Sequence, residues 1–153
     1  MPGRAEYLVY TDGSCKAGDG APGGWGFVIK PPNAADVEGY GKAIHTLAKV
    51  MEYRAVAEAL AALPKGARAT VFSDNQSLVE TLQKKLPVWI GNGFANVDPT
   101  IVALARAIGE HVTEKALVVE WKWIKSHNGN LGNERADALA AQGAREAKRD
   151  LAR

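Results

Sequence analysis

Short runs of β-branched and aromatic residues occupy the first third of the chain and predict three strands. The runs cover residues 7–11, 25–30 and 37–44. A glycine-rich segment over residues 18–24 separates the first two runs, and a Pro-Pro-Asn turn separates the second two. Short strands joined by such turns pair with their neighbours in sequence, so we predict an antiparallel meander.

The spacing of apolar positions changes after this meander. Over residues 47–63 apolar side chains recur every three or four positions, as on one face of an amphipathic helix, and the segment is rich in alanine. We predict further strands over residues 67–73 and 117–124, helices over 75–85, 98–113 and 133–149, and irregular structure over 87–96 and 126–132. Asp98 and Asn133 are the predicted N-caps of the last two helices.

The order of these elements defines the expected fold class. Three strands come first, and the helical crossovers that follow imply parallel strands. We therefore predict an α/β fold with a five-stranded mixed sheet, three antiparallel strands then two parallel ones, flanked by helices. The 153 residues fit a single domain, with a core over about residues 5–143 and a charged, frayed tail over 144–153.

Composition excludes several classes of protein. A net charge of +2 does not by itself indicate nucleic-acid binding. The single cysteine, Cys15, excludes an intrachain disulfide and a thiol-based zinc site. The N-terminus lacks the apolar segment of a signal peptide, and no run reaches the roughly 18 apolar residues that span a bilayer. We expect a cytoplasmic protein that does not contact a membrane.

Two aspartates directly follow predicted strands. Asp12 comes after the first strand, and Asp74 comes after the strand over residues 67–73. Ligands of open α/β sheets bind beyond the carboxyl ends of the strands, so neighbouring parallel strands would bring both carboxylates into one crevice. Either aspartate alone is better explained as a turn or N-cap residue. Their matching positions favour a shared site.

Two further acids lie near predicted helix starts. Glu52 stands at the margin of an apolar helix face, where an ionised carboxylate needs a partner such as a metal ion. Asp137 lies between two alanines, which would let the helix approach a site closely. A solvated carboxylate favoured by the helix dipole explains either residue equally well. An all-oxygen ligand set of this kind selects a hard ion, Mg²⁺ or Mn²⁺, over Zn²⁺.

His127 lies in a polar loop rich in Asn and Gly. A loop histidine that titrates near neutrality is suited to moving protons. A solvent-exposed histidine without a function is the commoner case.

The order and spacing of these residues and of their neighbouring segments resemble ribonuclease H of type 1 over nearly the whole chain. The matching segments are Thr11-Asp12-Gly13-Ser14-Cys15, Gly23-Gly24-Trp25-Gly26, Met51-Glu52, Ser73-Asp74-Asn75-Gln76, and His127 with Asn133-Glu134-Arg135-Ala136-Asp137. The resemblance implies the ribonuclease H-like fold and an endonuclease that hydrolyses the RNA strand of RNA–DNA hybrids, leaving 5′-phosphate and 3′-hydroxyl ends. It also implies two Mg²⁺ ions, which Mn²⁺ can replace, held by Asp12, Glu52, Asp74 and Asp137, with His127 as the catalytic-loop histidine. No feature indicates an obligatory protein partner, and we expect a monomer.

The resemblance also suggests the residues that contact the hybrid: Gly13, Ser14, Cys15, Lys49, Gln76, Trp89 and Asn133. Many family members carry paired asparagines shortly before the catalytic glutamate, but residues 47–50 contain none, so Lys49 would contact a phosphate instead. Residues 87–98 contain no Lys or Arg, so the basic protrusion that grips the DNA strand in many bacterial members is missing. We therefore expect weaker hybrid binding than in relatives that have the protrusion.

Two other functions remain open at this point. A DNA integrase or resolvase on the same fold would use similar acids, but the glycine-rich segment and the loop of His127 fit the ribonuclease better. A non-catalytic module that binds hybrids or RNA would not need all four carboxylates, which are present.

Overall fold

The computed structural model describes residues 6–125 and 129–153, and these form one five-stranded sheet with four helices. The strands are β1 (Glu6–Ser14), β2 (Gly23–Lys30), β3 (Val37–Ala43), β4 (Arg68–Ser73) and β5 (Val118–Trp123), and the helices are α1 (Ala48–Ala62), α2 (Gln76–Asn92), α3 (Val102–Glu114) and α4 (Leu131–Leu151). The sheet order is β3-β2-β1-β4-β5, with antiparallel pairing from β1 to β3 and parallel pairing among β1, β4 and β5. The predicted mixed sheet is therefore confirmed.

The first helix carries the main core. Its predicted apolar residues Tyr53, Val56 and Leu60 are buried, and so are alanines on its other sides. Burial extends around the helix because α1 packs on β1 and β2 on one side and on α3 on the other. Lys115 closes the end of α1 by donating to the carbonyls of Ala61 (2.5 Å) and Leu63 (2.9 Å).

The last helix lies on the opposite face of the sheet and needs small residues at the contact. A Cβ at Gly24 or Gly26 of β2 would overlap the backbone of α4, and a Cβ at Gly143 of α4 would overlap the backbone of Gly41. The helix can therefore rest directly on the strands. A smaller core on this face contains Tyr10 and Leu139. This close packing places the N-terminal turns of α4 beside the end of β1.

The second helix is longer than predicted. It continues through Pro87 to Asn92, so the predicted end at residue 85 and the predicted irregular structure over residues 87–92 are wrong. A proline inside a helix removes one backbone hydrogen bond. Burial of Leu82 and Leu86 against the core holds the helix together across the proline. Gly93, with φ of 71°, ends α2 in the left-handed conformation that glycine adopts readily.

Both predicted N-caps are wrong. Asp98 accepts the N–H of Thr100 (2.9 Å) in a turn that precedes α3, which begins only at Val102. In α4 the cap is Asn130, which accepts the N–H of Asn133 at 2.9 Å. In each case the prediction selected a capping residue type at the wrong distance from the first helical residue.

The C-terminal segment is more ordered than expected. Residues 144–151 continue α4 instead of fraying, since Ala147 is fully buried and Asp150 forms an ion pair with Lys42 of β3 at 2.7 Å. No helix within the described residues has the length and apolarity needed to cross a membrane.

Candidate metal centre

Strands β1 and β4 bring two of the acids to one edge of the sheet. Their parallel register places Tyr10 opposite Phe72, and the two rings stack with centroids 4.9 Å apart. Asp12 and Asp74 each follow these aromatic residues by two positions. The carboxylates therefore leave neighbouring strands at the same carboxyl edge, as the sequence predicted.

Hydrogen bonds fix the turn that carries Asp74. The hydroxyl of Ser73 accepts the N–H of Asn75 (3.0 Å), and the side chain of Asn75 accepts the N–H of Leu78 (3.0 Å) as the N-cap of α2. From β5, the indole of Trp123 donates to the carbonyl of Asp74 at 3.2 Å. The backbone of Asp74 is thus held from the helix side and from the neighbouring strand.

Close packing of α1 on β1 brings Glu52 to the same edge. A Cβ at Gly13 would overlap the backbone of Met51 and Glu52, so glycine is required for the approach. Glu52 is only 8% exposed, and Asp12 is 5% exposed. One carboxylate oxygen from each of Asp12, Glu52 and Asp74 lies within 4.8 Å of the other two.

The fourth acid, Asp137, reaches the cluster from α4. It lies in the second turn of that helix and is half-buried. Its carboxylate is within hydrogen-bonding reach of Asp12 and also adds negative charge near Glu52. The structure therefore brings all four predicted carboxylates to one place, from two strands and two helices.

Burial and mutual repulsion oppose ionisation of this cluster. Burial, followed by the charge of Glu52, raises the pKa of Asp12 to about 10. Burial, followed by the charge of Asp74, raises the pKa of Glu52 to about 8, although hydrogen bonds from the Gly13 N–H and the Asp12 carboxyl oppose the rise. The cluster cannot ionise fully without a compensating positive charge.

The donor atoms fit a divalent cation. Oε2 of Glu52 is buried without a hydrogen-bond partner in the described part of the chain. A buried carboxylate oxygen without a partner is costly, and a cation would satisfy it. The available ligands are all carboxylate oxygens, which suit a hard ion such as Mg²⁺ or Mn²⁺.

A cleft of about 390 Å³ adjoins Glu52 and contains two of the predicted substrate contacts. Lys49 and Trp89 both line it. The ammonium of Lys49 pairs with Asp98 at 2.8 Å, and the ring of Trp89 lies tilted against Phe94 with centroids 6.4 Å apart. Each side chain therefore already has a protein contact beside the cleft.

The other predicted substrate contacts differ in accessibility. Gln76 is exposed at the start of α2, where it donates to Glu80 (3.1 Å). Ser14, Cys15 and Asn133 are buried, and the thiol of Cys15 donates to the carbonyl of Gly18 at 3.1 Å. Burial raises the pKa of the Cys15 thiol. Contact of these three residues with substrate stays a prediction.

His127 lies outside the described residues, and its proposed role stays a prediction. Sequence reasoning missed the residues that position the acids, namely Trp123 and Asn130. The residue type of Asn130 is the signal that could have identified the cap, since asparagine is a preferred N-cap and its side chain accepts the backbone N–H of the third helical residue.

Comparisons with known sequences agree on one family. A family model described as RNase H matches residues 4–145. A protein named Ribonuclease H from Polaromonas sp. (strain JS666) is 37% identical over 147 residues, which cover 94% of this chain and 91% of that protein. Another Ribonuclease H, from Paracidovorax citrulli, is 37% identical over 141 residues, covering 90% of this chain and 93% of that protein.

Solved structures show the same fold. The crystal structure of LC9-RNase H1, described as a type 1 RNase H with the type 2 active-site motif, superposes with a TM-score of 0.78 at 24% identity and covers 96% of this chain and 75% of that one. LC11-RNase H1, crystallised with an RNA/DNA hybrid, gives a TM-score of 0.73 at 23% identity, covering 93% of this chain and 99% of that one.

Proposed function

This chain belongs to the ribonuclease H family, a family of metal-dependent endoribonucleases, and we propose that it hydrolyses the RNA strand of RNA–DNA hybrids with two divalent metal ions. The observation that carries the proposal is the cluster of Asp12, Glu52 and Asp74, whose oxygens lie within 4.8 Å of one another. The products we propose are 5′-phosphate and 3′-hydroxyl ends.

The four carboxylates would hold the ions. Bound divalent ions at such a site lower the pKa of the attacking water and stabilise the leaving 3′-oxygen. The protein contributes preorganised ligands: the Gly13 N–H donates to Asp12 (2.9 Å), and the turn at Asp74 is fixed by hydrogen bonds on both sides. The unpartnered oxygen of Glu52 remains available to a cation.

Selectivity for the hybrid is part of the same proposal. The 2′-hydroxyls and the wide, shallow minor groove distinguish an RNA-containing duplex from B-form DNA. Lys49 and Trp89 line the cleft beside Glu52, where a phosphate and a sugar or base could contact them. A hybrid complex of the structurally similar LC11-RNase H1 supports this choice of substrate. We further propose Mg²⁺ as the working ion, Mn²⁺ as a substitute, and a monomer that acts in the cytoplasm.

A substrate panel tests this function. End-labelled RNA–DNA hybrid, duplex RNA and duplex DNA are each incubated with Mg²⁺, Mn²⁺ or EDTA. We expect cleavage of the RNA strand of the hybrid alone, lost in EDTA and lost in Asp74→Asn. The matched control is Asp19→Asn, which removes the same charge from an exposed loop residue and should retain activity. Cleavage in EDTA, or faster attack on duplex DNA, would contradict the proposal.

A further inference from the structure

A groove of about 440 Å³ runs between the β1–β2 loop and the C-terminal half of α4. Apolar side chains, among them Ala144 and Leu151, line it together with three cations, Lys16, Arg145 and Lys148. We call this feature the basic groove. Nothing in the proposed cleavage chemistry uses it.

The three cations of the basic groove are exposed and not neutralised. Within residues 6–125 and 129–153, no ion pair joins any of them to a carboxylate. Two other cations on or against α4 are neutralised, since Arg135 pairs with Glu38 at 2.8 Å and Lys42 of β3 pairs with Asp150 at 2.7 Å. The charge of the basic groove is therefore available to an anionic partner.

The spacing of the cations suits a repeated anion. Arg145 and Lys148 are three residues apart on α4, so their side chains lie on one face of the helix. Lys16 faces them across the groove from the β1–β2 loop. Like charges this close repel each other, and an anionic chain between them would relieve the repulsion.

The basic groove lies beside the same strand and helix that carry Asp12 and Asp137. Ser14 lines the groove and stands two residues beyond Asp12 on β1, about 7 Å along the strand. Arg145 and Lys148 follow Asp137 by 8 and 11 residues on α4, which is about 12 and 17 Å along the helix axis. A duplex strand advances about 3.4 Å along its axis for each phosphate. A hybrid that ran along α4 would bring phosphates roughly three to five nucleotides from the scissile one to these cations.

We propose that the basic groove binds the phosphate backbone of the RNA–DNA hybrid on one side of the cleavage site. This inference rests on the proposed function. It gives the enzyme a grip on substrate away from residues 87–98, which contain no Lys or Arg. The three cations, none of which is paired with a carboxylate in the described residues, favour a chain of repeated negative charges as the occupant of the groove.

A pair of charge-matched double variants tests the proposal. Arg145→Gln with Lys148→Gln removes two charges from the basic groove. Lys65→Gln with Arg68→Gln removes two charges from the turn before β4 and from its first residue, at the opposite end of that strand from Asp74. Binding of a fluorescent hybrid is measured by anisotropy in EDTA between 50 and 200 mM KCl, and kcat and KM are measured with Mg²⁺. Circular dichroism establishes that each variant is folded.

We expect the groove variant to lose two phosphate contacts. The slope of log Kd against log salt should fall by about 1.8. The loss of hybrid affinity in the groove variant, relative to wild type, should therefore be roughly tenfold greater at 50 mM than at 200 mM salt. The loss should fall on KM rather than kcat. The difference in KM between the groove variant and wild type should disappear when the hybrid extends only about two base pairs on one side of the cut. It should persist when the hybrid is shortened to the same extent on the other side.

Equal behaviour of the two double variants, or a loss that is independent of flank length, would overturn the proposal and leave another anionic partner, such as an acidic peptide, as the occupant. Wild-type protein that does not cleave the hybrid would instead refute the proposed function and this inference together. Wild-type cleavage with indistinguishable double variants would refute only the assignment of the basic groove.

Discussion

Replacing Asp12 with Asn should stabilise the metal-free protein at pH 8. Burial, followed by the charge of Glu52, raises the pKa of Asp12 to about 10 in the folded protein. The folded state therefore binds a proton more tightly than the unfolded chain does. The contribution of Asp12 to the free energy of unfolding is fully present below its ordinary pKa of 3.8, and it is lost as the pH rises toward the pKa of about 10 in the folded protein. Asparagine avoids this loss and keeps an oxygen to accept the Gly13 N–H.

The size of the effect follows from the same shift. At about 1.4 kcal/mol per pKa unit, the upper bound at pH 8 is about 6 kcal/mol. Water entry and relaxation around buried charges reduce the effective penalty, and we expect a gain of about 2 kcal/mol in the free energy of unfolding. In a chain of this length, that gain raises Tm by roughly 4–8 °C.

Thermal unfolding in EDTA at pH 4 and at pH 8 measures this difference. The variant should be more stable than wild type at pH 8, and the gap should close toward pH 4. Adding Mg²⁺ at pH 8 should stabilise wild type more than the variant, because a ligand stabilises the folded state that binds it. Asp19→Asn is the control and should show neither effect. A gap of the same size at both pH values, or no gap at pH 8, would refute the electrostatic account of the cluster.

Three further predictions concern packing, capping and substrate grip. Gly24→Ala should destabilise the protein by about 1–3 kcal/mol in urea unfolding because its Cβ overlaps the α4 backbone. Gly91→Ala, in open space within α2, should stabilise it by about 0.5–1 kcal/mol. A change in the free energy of unfolding of the same sign for both variants would contradict the packing argument. Asn130→Ala should lose about 1 kcal/mol of stability with the N-cap and Asn130→Ser should retain most of it, so an equal loss in both would argue against capping. Lys49→Ala should raise KM for the hybrid and lower the slope of log Kd against log salt by about 0.9, and an unchanged slope would exclude a phosphate contact. Asp98→Asn, which releases Lys49 from its ion pair, should shift KM in the opposite direction.

Local patterns were sufficient for most of the fold. The β-branched runs and the glycine- and proline-containing connections predicted the meander, because residues 15–22 and 31–36 are too few for the crossover that parallel strands require. The same reasoning extended to Asp12 and Asp74. Once β1 and β4 are parallel neighbours, strand geometry alone places both carboxylates at one edge.

Helix boundaries depended on contacts that a sequence window does not contain. A proline at position 87 predicts a helix end, but burial of Leu82 and Leu86 under the rest of the core outweighs one lost hydrogen bond. The choice between Asn130 and Asn133 as the cap depended on where the backbone turns into α4.

Residues distant in sequence explain the remainder of the site. Gly13 was predicted as a substrate contact, and the structure shows that its missing Cβ lets Glu52 approach Asp12. The basic groove combines Lys16 with Arg145 and Lys148, which lie more than a hundred residues later. Only the packing of α4 beside the β1–β2 loop brings these charges together.

The identity of the attacking oxygen tests the central claim most directly. Cleavage of an RNA–DNA hybrid in ¹⁸O-labelled water with Mg²⁺, followed by mass spectrometry of the RNA fragments, reports which atom attacks phosphorus. Water activated at the carboxylate centre of Asp12, Glu52, Asp74 and Asp137 predicts one ¹⁸O atom in each new 5′-phosphate and an unmodified 3′-hydroxyl. Unlabelled 2′,3′-cyclic phosphates, which arise when the RNA 2′-hydroxyl attacks, would contradict the account.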